Sequence, residues 1–380
     1  MKAWKHLYSA ATVLLFCLSS CIYPYDAEIS KETDPTIVIE GEILVGGTST
    51  IRLSYLTELK RTSNISHPAG TAWIEDKDGH RFEPVSKERT WTLNIPTETA
   101  TSGNQYRAVV EVDGETYTSE WLNVDPAPSI TGISFGCEKN KVTVYVDVDA
   151  QACRSGYMGF SYEETWEFHA DFIPEIVVDP ETWTYSDLMT TWPYYWCYRS
   201  SESQQMVLLD YSTLNGAQTN RYPVKTFPCT DSRNHMKYSI LVKAFALSQD
   251  AYLYNKQTQD MSDLGGDLFS PEPGMLEGNM TCISDEERKV MGLVLAAEVT
   301  SKRAFLDNRY LRLTKQDDSM MIEVPEEKME SYYYDLNYRP IHKIKVEDRE
   351  VVGWGPHRCI NCLEAGGTQE KPEFWDDDKQ

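Results

Sequence analysis

The clearest hydrophobic pattern in the chain is an eight-residue alternation. Val142, Val144, Val146 and Val148 fall on one side, and Thr143, Tyr145, Asp147 and Asp149 on the other. A period of two sends successive side chains to opposite faces, so the segment reads as an antiparallel strand with one buried and one wetted face. Shorter versions recur towards the N-terminus. Ile37 and Ile39 alternate with Val38 and Glu40 before Gly41, and Ile43 to Val45 stops at Gly46-Gly47. Ile51, Leu53 and Tyr55 are spaced by two, as are Trp91, Leu93 and Ile95. Ala72 to Glu75 runs into Asp76-Lys77-Asp78-Gly79, and Tyr106 to Val110 is followed by Val112-Asp113-Gly114-Glu115. Asp-Gly between apolar runs is a hairpin signal, because the tight turn needs left-handed backbone. Short strands with such turn spacing predict an Ig- or fibronectin-like β-sandwich over 36–127, ended by the linker Asp125-Pro126-Ala127-Pro128.

Beyond the linker, apolar runs predict strands at 206–209, 238–246, 290–299, 310–313 and 341–346. One stretch keeps a helical period instead. Ala251, Tyr254, Thr258 and Met261 are three or four apart, Ser248 is placed to cap, Asp250 sits in the first turn, and Gly265-Gly266 ends the run. The expected fold is all-β. The sandwich is followed by a larger antiparallel β domain over 129–350, carrying a helical insertion near 248–264 and a tail at 351–380. No repeat of 20–50 residues is present.

The N-terminus follows a different pattern. Lys2 and Lys5 precede an apolar run from Ala11 to Leu18, and Leu18-Ser19-Ser20-Cys21 follows. This reads as a secretory signal over 1–20 that ends in a bacterial lipobox. The apolar run is shorter than the roughly 20 residues that cross a bilayer. Cys21 is then the acylated first residue of an exported chain held to a membrane by lipid, with 21–35 as its tether.

Composition narrows the function. At 380 residues and 41% hydrophobic content, the chain is long enough for two cored domains. It carries 36 basic and 59 acidic side chains, net −23, and loss of Lys2 and Lys5 with the signal makes the exported form more acidic. Such a surface repels nucleic-acid phosphates and does not favour lying flat on anionic lipid.

Of nine cysteines, Cys17 leaves with the signal and Cys21 is acylated. Cys137, Cys153, Cys197, Cys229, Cys282, Cys359 and Cys362 remain, an odd number that leaves at least one thiol unpaired within the chain. Cys359-Ile360-Asn361-Cys362 has metal or redox spacing and admits a local disulfide, half a zinc site with His357, or a redox couple. Zinc sites need a second ligand pair, and redox motifs sit at a helix start beside a βαβ unit, so the Cys359–Cys362 disulfide is the favoured expectation. Trp183, Tyr185, Trp192, Tyr194, Tyr195, Trp196 and Tyr198 form an aromatic run. Trp183, Trp192, Tyr194, Trp196 and Tyr198 are candidates for a ligand platform or an interface, and the last four are spaced as one face of a strand. Exposed, coplanar rings would favour ligand capture, and buried rings a core or scaffolding role. Asp76 and Asp78 are explained by their turn, and Asp147 and Asp149 by strand alternation. His67, His80, His169, His235, His342 and His357 are scattered without ligand spacing. No catalytic motif occurs, so no catalytic residue, metal or cofactor is expected.

Taken together, these residues resemble Bacteroidota outer-membrane lipoproteins carrying the domain of unknown function 4249 (DUF4249). The resemblance rests on the lipobox, Ile37-Val38-Ile39-Glu40-Gly41, Gly70-Thr71-Ala72-Trp73-Ile74-Glu75-Asp76, Trp196-Cys197-Tyr198, Tyr238-Ser239-Ile240-Leu241-Val242-Lys243 and Asp250-Ala251-Tyr252-Leu253-Tyr254. It continues through Leu268-Phe269-Ser270-Pro271-Glu272-Pro273, Glu277-Gly278-Asn279, Val290-Met291-Gly292-Leu293 and the tail from Cys359 to Trp375. Asp26 and Glu28, behind Cys21, resemble the surface-export signal of such lipoproteins. The resemblance implies an accessory subunit on the outer face of the outer membrane, partnered with a TonB-dependent SusC-like transporter and a SusD-like lipoprotein. It carries over no catalytic residue. The alternatives are an independent glycan- or peptide-binding lipoprotein and, third, a surface hydrolase.

Overall fold

A computed structural model describes residues 36–45, 47–55, 70–84, 86–87, 90–94, 104–212, 218–263, 278–285, 287–307 and 320–379. Cys21 and its tether, Ile95, Gly265-Gly266 and the expected strand at 310–313 lie outside the described residues.

The alternating N-terminal segments build a sandwich of two mainly antiparallel sheets. In one, Ile37–Val45 pairs with Thr48–Tyr55, which pairs with Thr90–Asn94. In the other, Gly70–Asp76, Gln105–Val112 and Glu115–Ser119 are neighbours. The Asp113-Gly114 turn has φ of 54° and 83°, the left-handed pair that its sequence signals. Ile37, Ile39, Ile51 and Leu53 from the first sheet meet Ala72, Ile74, Ala108 and Val110 from the second in one core.

Residues 36–127 do not complete this sandwich, which corrects the expected boundary. Val290–Met291 and Val294–Glu298 extend the first sheet by pairing in parallel with Ile37–Val45. Met280–Cys282 extends the second by pairing with Glu115–Ser119. The parallel partner of Ile37–Val45 arrives some 250 positions later, and local alternation carries no information on such pairing. Gly292, between the two short strands, has φ of 103°, and a Cβ there would overlap the Ile39 carbonyl. The motif Val290-Met291-Gly292-Leu293 is therefore a seam of the first sandwich.

The second sandwich faces Ser129–Glu138, Lys141–Asp149 and Gln218–Pro228 against Trp196–Glu202, Tyr157–His169, Lys237–Leu247 and Thr300–Asp307. Val142, Val144, Val146 and Val148 are all buried in its core, against Phe160, Ile240 and Val242 among others. Burying each valine contributes roughly 1.5–3 kcal/mol. A small sheet of Ile322–Glu323, Arg349–Pro356 and Tyr338–Val346 follows. Its hairpin runs through residue 350, so the tail proper starts at His357 rather than at 351.

The two sandwiches belong to one unit, Thr36–Gln380. One residue, Val299, separates Glu298 at the end of a first-sandwich strand from Thr300 at the start of a second-sandwich strand. Leu44, Leu295 and Ala297 from the first pack on Phe245 and Leu247 from the second. The 125–128 segment is fastened as well: Glu298 N–H donates to the Asp125 carbonyl and Ala127 N–H to the Glu298 carboxylate. It is a clamped connection, not a free linker.

Candidate functional site

Helix α1, Gln249–Asp263, lies across the junction of the sandwiches. Ser248 Oγ accepts from Ala251 N–H at 3.1 Å and caps it. Ala251 and Tyr252 are buried beneath it, and the Tyr252 ring stacks on Tyr157 with centroids 4.6 Å apart. With that edge anchored, α1 walls two clefts. One, of about 640 Å³, lies between α1, the Glu120–Asp125 segment and Leu293–Ala296. The other, of about 370 Å³, lies between α1, Glu40–Glu42 and Gln204–Met206. Both fall near the usual range for small-ligand sites, roughly 300–1,000 Å³.

The chemistry of the larger cleft is acidic and polar. Glu120, Asp125 and Asp250 supply carboxylates, Asn123 and Gln257 amides, and Trp121 and Tyr254 rings. Arg107 lies over the Trp121 ring at 4.6 Å. Burial, together with the Glu40 carboxylate, raises the Tyr254 hydroxyl above its usual range, so Tyr254 is a hydrogen-bond donor at neutral pH. In the smaller cleft, burial pushes the Glu42 carboxyl up while Arg52 and Lys243 oppose it. Neither lining contains a histidine, cysteine or lysine. The linings offer hydrogen-bond donors and acceptors.

The aromatic candidates do not form one strand face. The strand begins only at Trp196 (Trp196–Glu202), and Trp192 to Tyr195 form the approach to it. Trp183 is packed edge-on against Tyr333, and Trp192 donates its indole N–H to the Ile360 carbonyl. Tyr198 sits edge-on to Trp375. Tyr194 and Trp196 remain exposed, 38% and 46%, but the Trp192–Tyr194 and Tyr195–Trp196 planes cross at 76° and 78°. Neither contacting pair is coplanar, and Trp183, Trp192 and Tyr198 are half-buried while Tyr194 and Trp196 face solvent.

The Cys359–Cys362 disulfide is overturned: Cys362 is bonded to Cys197, with Cα atoms 5.7 Å apart, and Cys359 is a free, buried thiol. The short turn His357–Cys359 sends the two sulfurs into different cores. Cys359 packs with Phe172, Met321 and Ile341, whereas Cys362 joins Phe168 and Cys197 in the second sandwich. The Cys362 N–H donates to the Tyr194 carbonyl, and Tyr198 and Thr368 exchange two backbone hydrogen bonds, so the tail lies along the Trp196–Glu202 edge. Gly367 lies so close to Cys197 that a Cβ there would come within 2.6 Å of the Cys197 Cβ. Burial, with Asp171 adding, pushes the Cys359 thiol up to about 11, so it is protonated at neutral pH. His357 is engaged with Glu364 at 2.7 Å.

The paired acids serve local structure. Asp147 accepts from Arg221 N–H, and Asp149 from Gln151 N–H and the Gln218 amide. Asp76, Asp78 and His80 bring donor atoms within 4.8 Å of one another, a geometry that admits a metal ion. Within the turn, Asp76 accepts from His80 N–H, and the Asn104 amide donates to both carboxylates. The α1 clefts, the Cys197–Cys362 pairing and the buried Trp375 were not legible locally. The one sequence cue was Phe374-Trp375, an aromatic pair beside an acidic run, where solvent exposure would be costly.

Residues 22–303 match the family described as "Domain of unknown function (DUF4249)". The chain matches no curated protein sequence. Among solved structures, it resembles a two fibronectin type-III domain segment from chicken tenascin at 13% identity and a TM-score of 0.15, over 54% of this chain and 88% of that one. It also resembles trypsin-activated alpha-2-macroglobulin from Escherichia coli at 10% identity and a TM-score of 0.16, over 57% of this chain and 15% of that one.

Proposed function

The chain belongs to the DUF4249 family, and from that premise we propose that it is a lipid-anchored, surface-facing outer-membrane lipoprotein of the Bacteroidota kind, acting as a non-catalytic accessory subunit of a TonB-dependent, SusC/SusD-type uptake complex. Leu18-Ser19-Ser20-Cys21 supports the anchor, and the acidic balance supports a partner other than nucleic acid. The observation that carries the docking role is the exposed Tyr194 and Trp196 pair, set edge-on among neighbouring rings and backed by the disulfide-tied tail. Trp and Tyr held rigidly at a surface are the residue types on which protein interfaces concentrate their binding energy. An affinity capture of the tagged chain from gently solubilised outer membranes should recover a TonB-dependent transporter in stoichiometric amount, and Trp196→Ala with Tyr194→Ala should lose it. Recovery of the lipoprotein alone would remove the uptake role. For the anchor, Cys21→Ser should move the chain from the membrane to the soluble fraction; retention by the membrane would refute it.

The larger α1 cleft favours a second reading, an independent binder of glycans or peptides. Its carboxylates, amides and two rings match hydroxyl- or amide-rich ligands. Calorimetric titration with oligosaccharides and short basic peptides separates the readings: binding that Trp121→Ala abolishes supports this one, and heat-silent titrations against a functioning transporter complex support the first.

A further inference from the structure

Cys137 and Cys229 stand with their sulfurs 3.2 Å apart, both as free thiols. They come from the two outer strands of one sheet, Ser129–Glu138 and the exit of Gln218–Pro228, which do not pair with each other. What brings them together is the turn at the end of the central strand. Lys139 and Asn140 both adopt positive φ, and the Asn140 carbonyl accepts from Cys229 N–H at 2.9 Å. Asn234 holds the other side of Cys229, its amide donating to the Cys229 carbonyl at 2.9 Å. The Cys229 backbone is thus held by hydrogen bonds on both sides. The surroundings differ from those of Cys197 and Cys362, which are fully buried; Cys137 is exposed and Cys229 half-buried.

We propose that Cys137 and Cys229 form a second disulfide, an accessible and reversible one, clipping the two edge strands across the end of this sheet. The oxidant is a disulfide donor, either a small-molecule disulfide or a protein thiol–disulfide oxidoreductase. The Cys137 thiolate, the more exposed, attacks one donor sulfur and expels the other as a thiol, leaving a mixed disulfide on Cys137. The Cys229 thiolate then attacks the Cys137 sulfur and expels the second donor thiol. Two protein thiols lose two protons and two electrons, and one donor disulfide takes them up as two thiols. Because exchange requires access to a sulfur, this bond opens before Cys197–Cys362 in a folded chain. It is an exchangeable clip on a protein whose other cross-link is sealed in the core.

The test uses the purified folded chain with oxidised glutathione as the donor, so it does not depend on export or on any transporter. Remaining thiols are alkylated and the chain is digested with trypsin without reduction. Cleavage places Cys137 on 108–139, Cys229 on 226–233 and Cys153 on a separate peptide. A 108–139/226–233 conjugate, about 2 Da lighter than the two reduced peptides together, is expected. Titrating the oxidised folded chain with reductant should open this link at a concentration about tenfold or more below that needed for Cys197–Cys362. In the Cys229→Ser variant the resolving thiol is gone, so Cys137 should accumulate as a glutathione adduct. Alkylation of both cysteines after oxidation, a link from either to another cysteine, or simultaneous opening of the two bonds would overturn the proposal.

Discussion

At residue scale, the Cys197–Cys362 bond and the Asp76–His80 pair make opposite demands on solvent. The disulfide is sealed from water and ties positions 165 apart, so it restricts a long loop of the unfolded chain. Cys197→Ser should lower stability by about 2–5 kcal/mol. Cys359→Ala, which removes only a packed thiol, should cost on the order of 1 kcal/mol. Urea denaturation of the two variants checks the ranking, and equal losses would contradict the pairing. His80 is exposed, and its hydrogen bond to Asp76 raises the imidazole above the ordinary 6.5. A group whose folded-state value is raised stabilises fully below the unfolded value and loses that contribution as pH climbs through the raised one. The turn at 77–79 is therefore firmest below about pH 6.5. A proton-NMR titration of His80 should show its midpoint fall in Asp76→Asn; an unchanged midpoint would exclude the pair as its cause.

At the scale of elements, periodicity guided the reading where alternation is strict, and it left the strand Tyr157–His169, whose burial does not alternate, unmarked. The Lys141–Asp149 alternation appears in the structure as strict alternation of buried and half-buried positions after an exposed start. The tail shows the contrary case. Its Trp375 is 3% exposed, wedged edge-on by Tyr198 and Phe305, while the buried Lys237 ammonium donates to its carbonyl. Trp375→Ala should cost about 3–5 kcal/mol in spite of its near-terminal position, and a thermal shift below that of an exposed-site control such as Tyr334→Ala would count against the tail as a structural strap. Gly292 sets the seam of the first sandwich. Gly292→Ala should destabilise by more than the roughly 1 kcal/mol that an ordinary glycine-to-alanine exchange moves stability, because both its φ and the Ile39 carbonyl forbid a Cβ.

At whole-molecule scale, strands 280–298 make the first sandwich dependent on residues far beyond it. A fragment of residues 36–127 lacks the parallel neighbour of Ile37–Val45 and the partner of Glu115–Ser119. It should therefore show little cooperative unfolding by circular dichroism, while a chain starting at Thr36 and running to the end should melt in one transition. A well-folded 36–127 fragment would show that the late strands are decoration. The shared cluster of Leu44, Leu295 and Ala297 with Phe245 and Leu247 predicts the same coupling: Leu295→Ala should move the unfolding of both sandwiches together.

By itself, the amino-acid sequence determined the all-β class, the Asp-Gly turn, the capped start of the helix and the buried face of the Lys141–Asp149 strand. Those features depend on side-chain period and on backbone preference within a few residues. It also carried the family, whose signature runs along the chain rather than through space. Tertiary structure decided which strands complete the first sandwich, which cysteine Cys362 joins, and where the tail goes. It likewise placed α1 over the sandwich junction and set the rings of the aromatic run edge-on to one another and to distant partners. These are pairings between residues up to some 250 positions apart. A period of two says that a strand buries one face but never names the strand or side chain that covers it.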